Sequence, residues 1–171
     1  VERACANLRF EVVRLLLRQN NSFANGVLSS GVCRGSRQLV EIALDFKATV
    51  KQVFPDGPYL IHVAAELQDS SILEKLLDAG ADIEAKNNAG ETPFEVAVRF
   101  NSVSCVRLLI NKKCEFSSYD ALLLAVGCRN YDVMKELLKR GKFREGEGRA
   151  VSLLLAVIES DDFEAFRIVY S

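Results

Sequence analysis

The chain carries one histidine, His62, and five cysteines, Cys5, Cys33, Cys105, Cys114 and Cys128, so nucleophilic or metal chemistry would have to be assembled from these few groups. A single histidine cannot supply a multi-histidine metal site, and no carboxylate–cysteine cluster surrounds it in sequence. A general base also needs a partner and a cleft, and no nucleophile is paired with His62 in the order of residues. The cysteines are odd in number and no two have the spacing of a metal motif. They read as reduced thiols, which points to an intracellular, cytoplasmic setting, with the nucleus also open. Cys5 and Cys105 fall at expected helical positions that should be at least half-buried.

Two further segments mimic catalytic loops and fail on inspection. Gly26 and Gly31 have the spacing that begins a phosphate loop, but Val32-Cys33 follows where Lys-Ser or Lys-Thr is required. Cys33-Arg34-Gly35-Ser36-Arg37 superficially resembles a thiol phosphatase loop. Its closing arginine lies too near the cysteine, and no histidine precedes it. The acids Asp161-Asp162 precede an expected last helix, where negative charge complements a helix N-terminus. No catalytic, cofactor-binding or metal residues are therefore assigned, and the chain is expected to be no enzyme and to need no cofactor.

What positions these residues is a repeat. Asp56-Gly57-Pro58-Tyr59-Leu60-Ile61-His62-Val63-Ala64-Ala65 returns 33 residues later as Ala89-Gly90-Glu91-Thr92-Pro93-Phe94-Glu95-Val96-Ala97-Val98. A fixed period of this size signals stacked supersecondary units in place of one globular core. An internal ruler extends it. A small residue precedes a leucine or isoleucine by twelve positions from Ala4 to Leu16, Ala64 to Leu76, Ala97 to Leu109, Ala125 to Leu137 and Ala156 to Ile168. A weaker unit places Gly31 opposite Ala43, with Leu39-Val40 and Leu44 at apolar positions and Lys47-Ala48 standing where Gly80-Ala81 stands in the next.

Local chemistry fits paired helices. Thr92 is a good N-cap, and Pro93 at the first helical position loses no needed donor. Gly80 and Gly141 each follow a Leu-Leu pair, which suits a left-handed residue closing a helix. Leucines at i, i+3 and i+4 give each outer helix one apolar face. Neighbouring units bury each other's faces, so stability is a sum of unit and interface contributions.

The pattern resembles the ankyrin repeat, whose units read G-x-T-P-L-H-x-A-A, then a second helix ending in L-L, then G-A-D. Residues 58–90 and the unit opening at Thr92-Pro93-Phe94 carry the resemblance most specifically. It implies an all-α solenoid of stacked helix-turn-helix units with β-hairpin or loop connections. His62 falls at the family's T-P-L-H histidine, whose ring bonds the backbone of adjacent turns. Six degenerate units are expected, at about 1–25, 26–56, 57–89, 90–118, 119–149 and 150–171, the first and last incomplete. Units one to two, four to five and five to six are spaced 27, 28 and 31, so some projecting fingers are shortened into loops such as 142–149. The chain is read as a single domain, 1–171, opening in an inner helix and ending in an outer one. Neither end shows the polar cap of a free solenoid, so a longer parent protein is expected.

Composition narrows the partner. Net charge is −1 with acids and bases interspersed, which gives no preference for nucleic acid or acidic lipid. Apolar stretches such as 150–158 fall short of the ~18 residues of a membrane span, and no secretory segment opens the chain. The resemblance implies a non-catalytic protein-protein interaction module that holds a protein or peptide partner in its concave groove and at its hairpin tips. The expected tip residues are Val53, Phe54, Pro55, Asn87 and Asn88. The two positions after the small pair of each unit are expected to face the groove: Ala6-Asn7, Cys33-Arg34, Glu66-Leu67, Arg99-Phe100, Gly127-Cys128 and Ile158-Glu159. Phe54, Leu67 and Phe100 would form an apolar centre rimmed by Glu66 and Arg99. The alternative is an intramolecular scaffold or autoinhibitory element of a larger enzyme or channel.

Overall fold

The computed structural model describes residues 1, 4, 5, 9–50, 59–140, 157 and 162–170. Val53, Phe54, Pro55, Gly141, the loop 142–149, Ala156 and Asp161 lie outside the described residues. The helices are α1 (Phe10–Gln19), α2 (Ala24–Cys33), α3 (Arg37–Asp45), α4 (Leu60–Glu66), α5 (Ser70–Asp78), α6 (Pro93–Arg99), α7 (Val103–Asn111), α8 (Ser118–Gly127), α9 (Tyr131–Arg140) and α10 (Phe163–Tyr170), with one 3-10 turn at Asn21–Phe23. Among the described residues no strand forms; the connections are turns.

These helices make two layers. In the inner row α2 packs on α4, α4 on α6 and α6 on α8. In the outer row α1, α3, α5, α7, α9 and α10 pack in succession. Antiparallel pairs α2·α3, α4·α5, α6·α7 and α8·α9 cross-link the layers. The core runs between the rows as one apolar seam. Leu39, Leu73, Leu76, Leu109 and Leu122 have no exposed surface, and the small residues Ala64, Ala97 and Ala125 are equally closed. Each buried leucine contributes roughly 1.5–3 kcal/mol relative to exposure.

Three outer helices end in the same way. Lys47, Gly80 and Lys113 take left-handed φ values of 62°, 90° and 62°. At each end two backbone N–H groups close on helix carbonyls: Lys47 and Ala48 on Leu44 and Ala43, Gly80 and Ala81 on Leu77 and Leu76, Lys113 and Cys114 on Ile110 and Leu109. These bonds satisfy carbonyls the helix leaves orphaned. The glycine expectation holds at Gly80, and its 33-residue spacing carries the same backbone to two lysines.

Gly31 shows why the weakest unit departs from the alanine pattern. A Cβ there would lie 2.9 Å from both Leu39 Cβ and the Val40 backbone nitrogen. α2 and α3 therefore approach more closely than an alanine permits. Gly26 and Gly31 both lie inside α2, so their amides serve a helix and cradle no phosphate. At α6 the expected start is realised as a capping box: Thr92 Oγ1 accepts from the Glu95 amide at 3.3 Å, and Glu95 Oε2 from the Thr92 amide at 2.8 Å. Asp162 caps α10, accepting from the Ala165 amide at 3.0 Å. That hydrogen bond, another from the Tyr131 hydroxyl and the nearby Arg129 charge hold its carboxyl below the usual range.

Candidate partner-binding face

His62 is completely buried, and its Nε2 lies 3.0 Å from the carbonyl oxygens of both Ala85 and Glu91. Carbonyls only accept, so the ring is the Nε2–H tautomer and donates to both. Its Nδ1 faces no partner. The histidine thus ties α4 to both sides of the next projecting turn, and that double bond occupies its one donor.

The turn itself is organised by Asn87. Its Oδ1 accepts from the Ala89 and Glu91 amides at 2.9 Å each, and its Nδ2 donates to Glu91 Oε2 at 3.1 Å. Gly90, at φ 78°, lets the chain reverse and donate its amide to the Asn87 carbonyl at 2.9 Å. Asn87 is half-buried with its side chain engaged in the turn, whereas Asn88 is exposed at the tip. Arg99 donates to the Glu91 carboxylate, so its side chain folds back along α6 towards the turn.

The groove positions sort by exposure. Glu66, Arg99, Cys33, Arg34 and Gly127 are exposed, and Leu67 and Cys128 are half-buried. Phe100, at the C-terminal end of α6, is 48% exposed. Of the expected apolar centre, Leu67 leans on the core and Phe100 stands open. Val53, Phe54 and Pro55 fall outside the described residues, as do Ala6, Asn7, Ile158 and Glu159.

The turn after α4 breaks the usual closure. Leu67 is extended at φ −68°, ψ 137°, where α2, α6 and α8 are each followed by a left-handed residue, Gly35, Asn101 and Arg129. Side chains of the next unit meet the exposed carbonyls instead. Ser102 Oγ donates to Glu66 O at 3.1 Å, Cys105 Sγ to Leu67 O at 3.1 Å, and Ser104 Oγ to Gln68 O. Burial pushes the Cys105 thiol up to about 11, which keeps it the donor this contact requires. Cys114 is likewise pushed up to about 12 by burial. Cys5, Cys105 and Cys114 are buried and Cys33 is exposed.

A feature missed by sequence reasoning lies beside the Asn87 turn. The connection from α5 to α6 spans residues 79–92, but that from α7 to α8 spans only 112–117. Where a second projecting turn would stack on the first, a cleft of about 410 Å³ remains. Its floor is Phe94, Phe116, Ala121 and Leu124, with the Phe94 and Phe116 rings 4.4 Å apart. Its walls carry Glu91, Glu95, Glu115 and Asp120. The Glu115 amide donates to Glu84 Oε1 at 2.7 Å, which pins the short connection to the base of the preceding turn. The 28-residue spacing was the available signal.

A family model described as ankyrin repeats (3 copies) matches residues 60–146, just over half of the chain. The chain belongs to the ankyrin-repeat family, whose repeats are generally non-enzymatic protein-protein interaction modules. Among curated proteins it is similar to the nuclear factor NF-kappa-B p110 subunit of Drosophila melanogaster, 39% identical over 33% of this chain and 6% of that protein. It is 29% identical to the putative ankyrin repeat protein FPV031 of fowlpox virus, over 60% of this chain and 33% of that one. It is also 29% identical to human SH3 and multiple ankyrin repeat domains protein 2, over 66% of this chain and 6% of that one. The chain thus spans at most about a third of these relatives' length. Among the described residues no helix is long and apolar enough to cross a membrane.

Proposed function

We propose that this chain is a non-catalytic binding module that holds a protein or peptide partner on the face formed by the inner helices and the projecting turns. The observation that carries the reading is Phe100. A large aromatic side chain 48% exposed on the inner row, beside the Arg99–Glu91 pair, has the composition of an interface anchor with a charged rim. The occupied ring of His62 supports a structural over a catalytic role for the only histidine. Glu66, Asn88 and Arg99 are exposed around the same face, and Val53, Phe54 and Pro55 remain proposed tip contacts.

Affinity capture from cell lysate with the chain and with a Phe100→Asp variant of equal circular dichroism and melting tests this. The captured protein is then purified and titrated directly. A partner bound by the parent and lost by the variant supports the reading; equal binding by both moves the site off this face.

The second reading is an intramolecular one, in which the repeats brace or inhibit another region of the same polypeptide. It is favoured by the small share of each relative that the chain covers. Such a partner would be the flanking region itself, and the chain would bind it when supplied in trans.

A further inference from the structure

The cleft left by the short α7–α8 connection is chemically one-sided. Every titratable residue on its walls is acidic: Glu91, Glu95, Glu115 and Asp120. Two of these are already engaged, Glu91 by Arg99 and Glu95 by the Thr92 amide. The carboxylates of Glu115 and Asp120 form no ion pair among the described residues and are exposed. Like charges gathered beside a low-dielectric floor focus a negative potential into the cleft. Among the described residues no group of three or more His, Cys, Asp or Glu side chains could hold a metal ion; the exposed carboxylates of Glu115 and Asp120 are complementary to a cationic side chain.

The floor adds a second requirement. Phe94 is closed, but Phe116 and Leu124 are half-exposed. An apolar side chain laid on them would complete the contact that a full-length projecting turn would otherwise make. The volume of about 410 Å³ falls within the ~300–1,000 Å³ typical of ligand sites.

We propose that this cleft is the docking site for an extended cationic segment of a partner protein, with an apolar side chain on Phe116 and Leu124 and a lysine or arginine against Glu115 and Asp120. The site presupposes the protein-binding reading above and names the partner's chemistry. An acidic segment is excluded because like charges facing each other in an interface are repulsive.

Three fluorescein-labelled heptapeptides test it by anisotropy: one alternating arginine and leucine, one alternating glutamate and leucine, one alternating arginine and glycine. The arginine–leucine peptide should bind best, and more weakly as salt rises. Glu115→Gln/Asp120→Asn should weaken it roughly threefold to tenfold, two exposed ion pairs being lost. Leu124→Ala should weaken it while leaving the arginine–glycine peptide unaffected. A charge-reversed Glu115→Lys/Asp120→Lys variant should prefer the glutamate–leucine peptide, which keeps the test open should the neutral variant fold poorly. Equal binding of the acidic and basic peptides, unchanged affinity in the folded double variant, or no binding of any peptide would overturn the proposal. If the peptides fail while Phe100→Asp still loses a captured partner, the cleft is wrong and the binding face stands.

Discussion

Arg107 on α7 donates from Nη2 to Glu136 Oε2 on α9 at 2.8 Å, joining successive outer helices through a carboxylate whose side chain is only 6% exposed. Arg140, one turn further along α9, pairs with the other carboxylate oxygen. A buried carboxylate left without partners would be strongly destabilising; with both oxygens engaged it sets the register of α7 against α9.

The pH dependence of this contact has a definite sign. The Arg107 hydrogen bond outweighs burial and, with Arg140, holds Glu136 below the usual carboxylate range. The unfolded chain therefore takes up this proton more readily than the folded one. The stabilisation is fully present above the ordinary glutamate pKa of about 4.3 and is lost as pH falls through the lowered folded value. Glu136→Gln should cost about 1–2 kcal/mol at pH 7, and its deficit should shrink towards pH 3. Urea midpoints of both proteins at the two pH values check this; a deficit independent of pH would show that the charge is not the source.

Gly26 and Gly31 give a matched pair on one helix. Nothing lies within 4 Å of a Cβ at Gly26, whereas one at Gly31 meets α3 at 2.9 Å. Gly26→Ala should raise stability by about 0.5–1 kcal/mol through helix propensity and unfolded-chain entropy. Gly31→Ala should lower it by about 1–3 kcal/mol by overpacking. Thermal melts of the two single variants read the opposite signs directly.

Features written in short-range chemistry were legible in advance, and features made between distant segments were not. Thr92-Pro93 announces a helix start, and Ala64, Ala97 and Leu76 sit on a ruler that the two layers obey. Lysine carries no left-handed signal, so Lys47 and Lys113 could be matched to Gly80 only by register. The Phe94–Phe116 contact joins the first helix of one unit to the connection that follows its second helix, a separation no local pattern spans. The cleft is the consequence of residues the chain lacks between 112 and 117, and its acids look in sequence like ordinary helix-start charges. The substitution of Cys105, Ser102 and Ser104 for a left-handed closure after α4 was hidden for the same reason, since donors and carbonyls belong to successive units.

The left-handed lysines mark sites where the fold overrides residue preference. A non-glycine residue at φ 62° carries a steric penalty that glycine avoids. Lys113→Gly, which keeps the backbone bonds to Ile110 and Leu109, should stabilise the chain by about 0.5–1 kcal/mol net of its greater unfolded entropy. Gly80→Ala, at φ 90°, should destabilise by about 1 kcal/mol or more. Denaturant titrations of the two variants should move in opposite directions with an unchanged slope.

His62 offers the sharpest test of a structural against a chemical role. Its Nε2–H serves the carbonyls of Ala85 and Glu91, on either side of the turn that walls the cleft. Replacing the ring with alanine leaves both carbonyls without this donor and opens a cavity against α4. His62→Ala should therefore cost about 2–4 kcal/mol. Hydrogen exchange should rise first at the Gly90 and Ala89 amides, whose acceptors belong to Asn87 in the same turn. Because that turn forms one wall of the cleft, the arginine–leucine peptide should also bind more weakly, although no carboxylate has changed. His62→Gln places an amide donor near the same carbonyls and should recover part of both losses. A His62→Ala variant with the parent's melting temperature and exchange pattern would show that the double hydrogen bond does not hold the turn, and the wall of the cleft would need another support.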